Sequence, residues 1–207
     1  MIELAAVSRH YKMSGQTVRA LDGVDLRIGA GQFVALTGPS GSGKSTLLNV
    51  LGCLDRPDAG SYRLDGIEVK SLDDTAASVV RNRRIGFVFQ SFHLLPRLTV
   101  LENVLLPMRF SDEPDPAAPD RARELLRRVG LGERLDHRPG QLSGGQMQRA
   151  AIARALVMKP ALLLALIGEV HRGGQTVVMV THDNDVAANA PRQVRLRDGR
   201  IEHDSAA

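Results

Sequence analysis

Short apolar stretches recur along the chain in the pattern expected of strands. Ile2–Leu4 and Val24–Ile28 alternate apolar and polar residues, which predicts strands with one exposed face. Other stretches are continuously apolar, which is typical of strands buried on both faces of a parallel sheet. These continuous stretches are residues 32–37, 85–89, 161–165 and 176–180.

Helical periodicity lies between those stretches. It predicts a helix over 44–51, helices from 99 to about 130 around a three-proline loop at 111–119, and a helix over 144–158. Asp65-Gly66 and Asp198-Gly199 are typical hairpin turns. The alternation predicts one α/β domain over 1–207, with a mainly parallel core sheet, an N-terminal antiparallel β subdomain and a helical inset at about 76–140.

The net charge of +4 and the pI near 9.7 would be compatible with nucleic-acid binding. The basic residues do not cluster, however, as such binding would require. The densest basic run is Arg81, Arg83 and Arg84, and Arg127 and Arg128 follow an acid in a helical pattern, as on a solvated face. Aromatic residues make up 3% of the chain, too few for base-stacking platforms. We therefore expect no nucleic-acid partner.

The lone cysteine and the hydropathy pattern indicate the compartment. Cys53 lies among leucines and is expected to be a reduced core residue. The first residues lack the layout of a signal peptide, and the longest apolar run, 161–167, is far shorter than the roughly 18 residues of a membrane span. We expect a soluble, cytoplasmic chain, peripheral on the inner face of the membrane if it serves a membrane process.

A glycine-rich loop between a buried strand and a helix matches the P-loop pattern in full. Its glycines let backbone N–H groups surround an anion, and the helix points its positive end at the same place. Lys44 would neutralise the β- and γ-phosphates of a bound nucleotide, and Ser45 would place its hydroxyl on Mg²⁺. The P-loop alone does not distinguish kinases, GTPases, DNA-maintenance ATPases and transporters. A flexible Gly/Ser turn is the structural alternative. The P-loop consists of Gly38, Pro39, Ser40, Gly41, Ser42, Gly43, Lys44, Ser45 and Thr46.

A second anion-binding helix end occurs about a hundred residues later. Ser143 is a suitable N-cap, and two glycines after it clear the backbone for close approach. Because one triphosphate rarely needs two such helix ends, we predict that this one closes over nucleotide on a second copy, in a head-to-tail homodimer. We call residues Leu142, Ser143, Gly144, Gly145 and Gln146 the signature segment.

Together, the P-loop and the signature segment resemble the ABC ATPase family over nearly the whole chain. The resemblance implies the P-loop NTPase fold, ATP and Mg²⁺ as ligands, and a membrane-spanning permease subunit as partner. It further implies that Tyr11 stacks on adenine, that Gln90 senses Mg²⁺ and the attacking water, and that His182 contacts the γ-phosphate. Lys44, Gln90 and His182 are thus the candidate catalytic residues, with Ser45 and Gln90 as metal ligands.

Three further strings are similar to the lipoprotein-release and macrolide-export branch of that family. They are residues 18–24, 49–55 and 98–104. In that branch an ATPase dimer drives a membrane subunit that removes substrates from the membrane or periplasm. The resemblance therefore implies an exporter ATPase.

The family's Asp-Glu pair is missing. In the family, the strand after the signature helix ends in an Asp that holds Mg²⁺ through water and a Glu that polarises the attacking water, followed by a turn with another Asp. Here residues 161–165 continue directly into Leu166-Ile167-Gly168-Glu169. We expect an internal deletion, with Glu169 too far beyond the strand to replace the base and with turnover in doubt.

Two alternatives remain beside the exporter ATPase. The missing acids favour a hydrolysis-deficient nucleotide-binding or regulatory module, or a non-functional deletion product, of the same fold. A DNA-maintenance ATPase shares both motifs but would need a long heptad-repeat insertion that the chain lacks. One cysteine and six scattered histidines give no support to a metal or thiol enzyme.

Overall fold

The computed structural model describes residues 1–13, 15–113, 115–165 and 175–206. The chain divides into two compact units, one of Met1–Ser78 with Leu164–Ala207 and the other of Val79–Leu163. Helix α2 (Asp74–Arg84) and strand β7 (Leu162–Ala165) each cross a boundary between the units. The boundaries of the helical inset predicted at about 76–140 remain a prediction, since the second unit also contains strands.

The strands and helices of the first unit are β1 (Ile2–Met13), β2 (Gln16–Ile28), β3 (Phe33–Thr37), α1 (Lys44–Leu51), β4 (Ala59–Leu64), β5 (Ile67–Glu68), β8 (Thr176–Val180), α6 (Asn184–Ala187), β9 (Arg192–Arg197) and β10 (Arg200–Asp204). The strands form two sheets. One is antiparallel, in the order β2-β1-β4-β5, and forms the predicted N-terminal β subdomain. In the other sheet β3 pairs in parallel with β8 and β9, and β9 pairs antiparallel with β10.

Sequence patterns located most of these elements. Helix α1 and strand β8 have the predicted bounds, and β3 is one residue shorter. Both Asp-Gly hairpins are confirmed, because all four turn residues have positive φ, as type I′ turns require. Cys53 is buried, as predicted. The α/β fold with a largely parallel sheet is therefore confirmed.

Strands β3 and β8 form the centre of the first unit's core. Val34, Ala35, Leu36 and Val178 have no exposed surface, which fits continuously apolar strands covered on both faces. Helix α1 packs against β2 and β8. At its C-terminal end, the buried hydroxyl of Tyr62 donates a hydrogen bond to the Leu51 carbonyl at 2.7 Å. These contacts hold helix α1 in place, and with it the P-loop residues at its N-terminal end.

The described part of the second unit contains three complete helices, the end of α2 and short strands. Strand β6 (Ile85–Val88) packs closely on α5, because a Cβ at Gly86 would lie 2.4 Å from the Ala155 carbonyl oxygen. The helices are α3 (Val100–Leu105), α4 (Ala118–Arg128) and α5 (Gly144–Leu156), with 3-10 turns at Leu106–Phe110, Gly132–Arg134 and Pro139–Gln141. Buried apolar residues of the three helices form one cluster that includes Val104, Leu126 and Ala153.

The charged face predicted on α4 is confirmed. Arg127 donates two hydrogen bonds to the Glu124 carboxylate, three residues earlier, and both side chains are largely exposed. Over the described residues, no helix has both the length and the apolar character needed to cross a membrane.

The ion pair between Arg192 and Asp204 is largely buried. Arg192 donates to both oxygens of Asp204, at 2.9 and 2.6 Å, and also to the Arg27 carbonyl and the Gln32 side chain. The two side chains are only 13% and 14% exposed. The hydrogen bond from Arg192 holds the pKa of Asp204 below its usual value, against the opposing effect of burial.

We predict that Asp204→Asn lowers the free energy of unfolding at pH 7 by about 2 kcal/mol, since it removes a charge-assisted pair. A carboxylate with a lowered pKa stabilises the fold above its ordinary pKa near 3.8 and loses that contribution as the pH falls further. Urea unfolding should therefore show a difference in the free energy of unfolding between wild type and variant that is smaller at pH 3 than at pH 7. Asp120→Asn, on an exposed pair with Arg123, is the control. A difference in the free energy of unfolding that does not change with pH would contradict a stabilising role for the ionised Asp204 carboxylate.

Candidate nucleotide-binding site

The P-loop connects the end of β3 to the start of α1. Gly43 has φ +101°, and a Cβ there would lie 2.3 Å from the Ala20 carbonyl oxygen. Gly38 has φ +135°, and its Cβ would lie 2.1 Å from the Leu196 carbonyl oxygen. Both glycines are therefore required by backbone conformation and by close packing on neighbouring strands.

The start of α1 is open to an anion. Gly43 occupies the N-cap position, no side chain caps the helix, and the first turn has no acidic residue. The first N–H groups of a helix need acceptors from outside it and carry partial positive charge. Ser40, Gly41 and Ser45 are exposed there. This end of the helix can therefore receive phosphate oxygens.

Lys44 adds a full positive charge to the same loop. Its ammonium donates to the carbonyl oxygens of Gly38 at 2.8 Å and Pro39 at 2.7 Å, and lies 3.4 Å from the Ser42 hydroxyl. Partial burial lowers the pKa of Lys44. Because these acceptors are neutral, they hold the ammonium without cancelling its charge, which remains to attract an anion.

The structure places His182 close to the start of the P-loop. In the parallel register Leu36 of β3 lies opposite Val180 of β8, so Gly38 and His182 each lie two residues past that level. The Thr181 N–H bonds to the Leu36 carbonyl at 3.3 Å. Gly38 and exposed His182 line one cavity of about 350 Å³. Carboxyl ends of parallel strands are where α/β proteins bind ligands.

Besides Gly38 and His182, five residues line that cavity, and no sequence motif indicated any of them. Thr37 and Thr181 are the chain neighbours of Gly38 and His182. Gln193, Arg195 and His203 lie on β9 and β10 and line the cavity with His182. They carry no motif, and their proximity to Gly38 follows only from the pairing of β3 with β9 and of β9 with β10. Arg195 is paired with Glu202 at 3.1 Å.

Tyr11 also belongs to the first unit, near the end of β1. Its hydroxyl donates to Asp55 at 2.5 Å, and the guanidinium of Arg9 lies over the ring, 4.8 Å from the centroid. The side chain is half-buried. The predicted contact with adenine remains a prediction.

Gln90 and the signature segment both lie in the second unit. Gln90 is exposed in the turn after β6. Arg154 of α5 secures the segment that follows, donating 2.6 Å hydrogen bonds to the carbonyls of Phe92 and His93. Phe92 and His93 both have positive φ, a conformation that is costly for residues other than glycine. Burial of the Arg154 guanidinium lowers its pKa. The loop after Gln90 is thus tied to the signature helix, a contact that no sequence pattern indicated.

The signature segment begins α5 with a capping box. The Ser143 hydroxyl accepts from the Gln146 N–H at 3.3 Å, and the Gln146 side chain accepts from the Ser143 N–H at 2.9 Å. Ser143, Gly144 and Gly145 are exposed. A Cβ at Gly144 would meet nothing within 4 Å, and one at Gly145 would meet only the end of Arg149 at 3.7 Å. The chain's own described packing therefore does not require these two glycines.

Mg²⁺ fits this site only as part of a nucleotide complex. In proteins it is usually bound by one or two carboxylates together with water and phosphate oxygens. Over the described ranges no three His, Cys, Asp or Glu side chains are grouped to hold a metal, and the P-loop presents the exposed hydroxyl of Ser45. The described residues would thus hold the ion through the phosphates of a bound nucleotide.

Comparison with known proteins establishes the family. Residues 21–165 match the family described as "ABC transporter". The chain is 47% identical to an uncharacterized ABC transporter ATP-binding protein, YvrO, of Bacillus subtilis, with 97% of this chain and 95% of that protein covered. It is 45% identical to the macrolide export ATP-binding/permease protein MacB of Chlorobaculum tepidum, with 99% of this chain but 34% of that protein covered.

Solved structures agree with the sequence relatives. The fold matches the ATP-binding cassette MJ0796, solved as a dimer in a post-hydrolysis state with ADP and Pi, at a TM-score of 0.87 and 41% identity. The match covers 99% of this chain and 98% of that one. On the evidence of sequence, fold and P-loop, this chain belongs to the ABC transporter family of ATP-binding domains.

Proposed function

We propose that this chain is the ATP-binding subunit of an exporter and binds magnesium–ATP at the P-loop. The observation that carries the proposal is the uncapped start of α1, with the Lys44 ammonium held beside it by neutral oxygens. A loop of this kind offers N–H donors and one full positive charge to a triphosphate. The exporter acts through a separate membrane-spanning permease.

Each candidate residue has a part in this proposal. Lys44 neutralises the β- and γ-phosphates, and Ser45 contributes its hydroxyl to Mg²⁺. His182, which shares a cavity with Gly38, contacts the γ-phosphate. Gln90 contacts Mg²⁺ and the attacking water, and Tyr11 stacks on adenine. When bound, Mg²⁺ reduces the negative charge of the phosphates.

The signature segment supports a head-to-tail homodimer. Because Gly144 and Gly145 are exposed and unobstructed, glycine there serves the approach of something outside the described chain. The nucleotide of a second copy is the ligand that a helix N-terminus suits. The structural relative MJ0796 is described as dimeric, with 42% identity and a TM-score of 0.87.

The names of the relatives support export and a permease partner. Several are called macrolide export ATP-binding/permease proteins, including one from Paracoccus denitrificans that is 48% identical. The chain spans about a third of those proteins. We infer that a permease subunit supplies the membrane part and that this chain lies at the inner face of the membrane. The more specific function that we infer is macrolide export or lipoprotein release. We propose no nucleic-acid partner.

We further propose an internal deletion after Ala165 that removes the Asp-Glu pair and the following turn. The alignment with the Bacillus relative extends over 218 positions and that with MacB of Syntrophobacter fumaroxidans over 227, more than the 207 residues of this chain. Both alignments therefore contain positions that this chain lacks. The family match ends at residue 165, where the proposed deletion begins. Glu169 lies outside the described residues.

The family supplies no support for the regulatory alternative. The named relatives are transporter ATP-binding proteins, which favours the ATP-binding subunit over a separate regulatory module. The consequence of the proposed deletion is reduced turnover within the same function.

Dimerisation tests the proposed function. We predict that magnesium–ATP raises the dimer fraction in light scattering, and that Ser143→Arg abolishes the increase while the monomer still binds ATP. The arginine would fill the space in which the partner's phosphates approach the helix end. Arg123→Ala, on an exposed face of α4, is the control and should behave as wild type. A stable dimer that is indifferent both to ATP and to Ser143→Arg contradicts the proposal.

A further inference from the structure

Tyr11 lies on a part of β1 that has little support within its sheet. Strand β1 pairs with β4 only as far as Ser8, opposite Ala59, whereas its pairing with β2 continues to Met13. Arg9 to Met13 therefore belong to a two-stranded ribbon. Two-stranded ribbons are only marginally stable alone, so the ring of Tyr11 needs another constraint if it is to hold one position.

Two aspartates in the segment after α1 supply that constraint. Arg9 bonds to both oxygens of Asp55, at 3.0 and 2.8 Å, and to Asp58 at 2.7 Å. Asp58 also accepts from the backbone N–H of His10 at 2.6 Å. The ribbon is thus attached by side chains to a segment 44 to 49 residues further along the chain.

The same network fixes the ring of Tyr11 itself. Asp55 Oδ2 accepts from the Tyr11 hydroxyl at 2.5 Å, which holds the far end of the ring. The Arg9 guanidinium lies over the ring at 4.8 Å and is itself held by Asp55. With its hydroxyl hydrogen donated to Asp55, Tyr11 would contact a base through its ring rather than through its hydroxyl.

Arg9 and Asp58 keep their charges at physiological pH. Partial burial opposes the charge on Arg9, but hydrogen bonds to Asp55, Tyr11 and Asp58 outweigh it and raise the pKa of Arg9. The backbone hydrogen bond from His10 lowers the pKa of Asp58. The ion pair between Arg9 and Asp58 therefore persists in the folded protein near neutral pH.

We propose that Asp55 is a positioning residue for nucleobase binding, acting through Tyr11 and through Arg9. This rests on the proposed function, in which Tyr11 stacks on adenine. Asp55 does not touch the nucleotide in this proposal; it sets the orientation of the ring that does. A ring already oriented before binding loses less freedom on stacking, and that difference appears as affinity.

The test compares two ligands, ATP and inorganic tripolyphosphate, which has the phosphates without the base. Binding of each is measured by displacement of a fluorescent ATP analogue from the full chain. We expect Asp55→Asn to weaken ATP binding roughly 3- to 10-fold, a part of what base stacking contributes, and to leave tripolyphosphate binding unchanged. In a Tyr11→Ala background, Asp55→Asn should have no further effect on ATP.

Two control variants accompany the test. Asp74→Asn makes the same chemical change at an exposed aspartate paired with Arg56, and should bind both ligands as wild type does. Tyr11→Phe removes only the hydroxyl that donates the hydrogen bond to Asp55. It replaces Asp55→Asn in the test if that variant fails to fold. We expect the same selective loss of ATP affinity from it, about 2- to 5-fold.

Two results overturn the proposal. One is an equal loss of ATP and tripolyphosphate binding in Asp55→Asn, which would mean that Asp55 only supports the fold. The other is a loss of ATP affinity that persists in the Tyr11→Ala background. Failure of the proposed function looks different, since Lys44→Ala would then leave the binding of both ligands unaltered, and the role of Asp55 would fall with the site.

Discussion

Turnover of magnesium–ATP by this chain is expected to be 10²- to 10⁴-fold slower than by a repaired chain that carries the Asp-Glu segment after Ala165. That range is what a positioned general base commonly contributes. The P-loop is complete, with Lys44 in place beside the open start of α1. ATP binding should therefore persist in the unrepaired chain, and Lys44→Ala should weaken it at least tenfold.

The repair can be designed to separate chemistry from folding. A designed segment of the length expected for the family and containing the Asp-Glu pair, inserted after Ala165, restores both acids and the length of the connection. A second insert with Asn and Gln in place of the Asp and Glu restores the length alone. Steady-state phosphate release should recover only with the first insert. Lys159→Ala, at an exposed lysine, is the control for Lys44→Ala and should leave ATP binding unchanged. Equal turnover by the unrepaired and the repaired chain would show that the missing Glu is not needed.

The sequence predicted those parts of the fold and the site that depend on local patterns. The strand, Gly-rich loop and helix of the P-loop follow one another within residues 32–51, and α1 has the predicted bounds. Each Asp-Gly turn needs two residues of positive φ, which that dipeptide supplies. Helix α2 was not predicted as a separate element, because Asp74 to Arg84 has few apolar positions to show a period.

Long-range side-chain contacts could not be predicted in this way. Asp55 and Arg9 are 46 residues apart, and neither position carries a pattern that links it to the other. Arg154 resembles an ordinary helix-surface arginine in sequence, yet it bonds to carbonyls more than 60 residues earlier. These contacts follow from packing between elements, so they become visible only once the elements are assembled.

Stability should respond to the same repair, because the connection between β7 and β8 is short. The two strands are neighbours in the sheet, and we expect them to be parallel. A five-residue strand such as β8 spans about 17 Å, and a helix returning over it at 1.5 Å per residue takes about eleven residues. The chain has ten residues, 166–175, for the whole connection, two of them adjacent glycines.

The residues at risk are deeply buried side chains of β7 and β8. Leu162, Leu164, Val177 and Val178 are each at most 2% exposed. A connection too short for a covering helix leaves part of this surface less protected during local opening, and each large apolar side chain contributes roughly 1.5–3 kcal/mol when fully buried. These side chains are buried in the folded chain, so the expected cost lies in local opening that exposes several of them together. Their combined contribution is comparable with the whole stability of a domain. We therefore expect the isolated chain to be marginally stable and prone to aggregation.

The repaired chain should melt about 10 °C higher, since a gain of a few kcal/mol shifts the melting temperature by roughly 2–4 °C per kcal/mol in a chain of this size. Differential scanning calorimetry measures the shift. The Asn/Gln insert should melt as high as the Asp-Glu insert, because it restores the same covering segment. A Gly/Ser insert of equal length should gain much less, because it lengthens the connection without supplying apolar side chains. If the chain as it stands melts as high as its repaired version, the connection is not what limits stability.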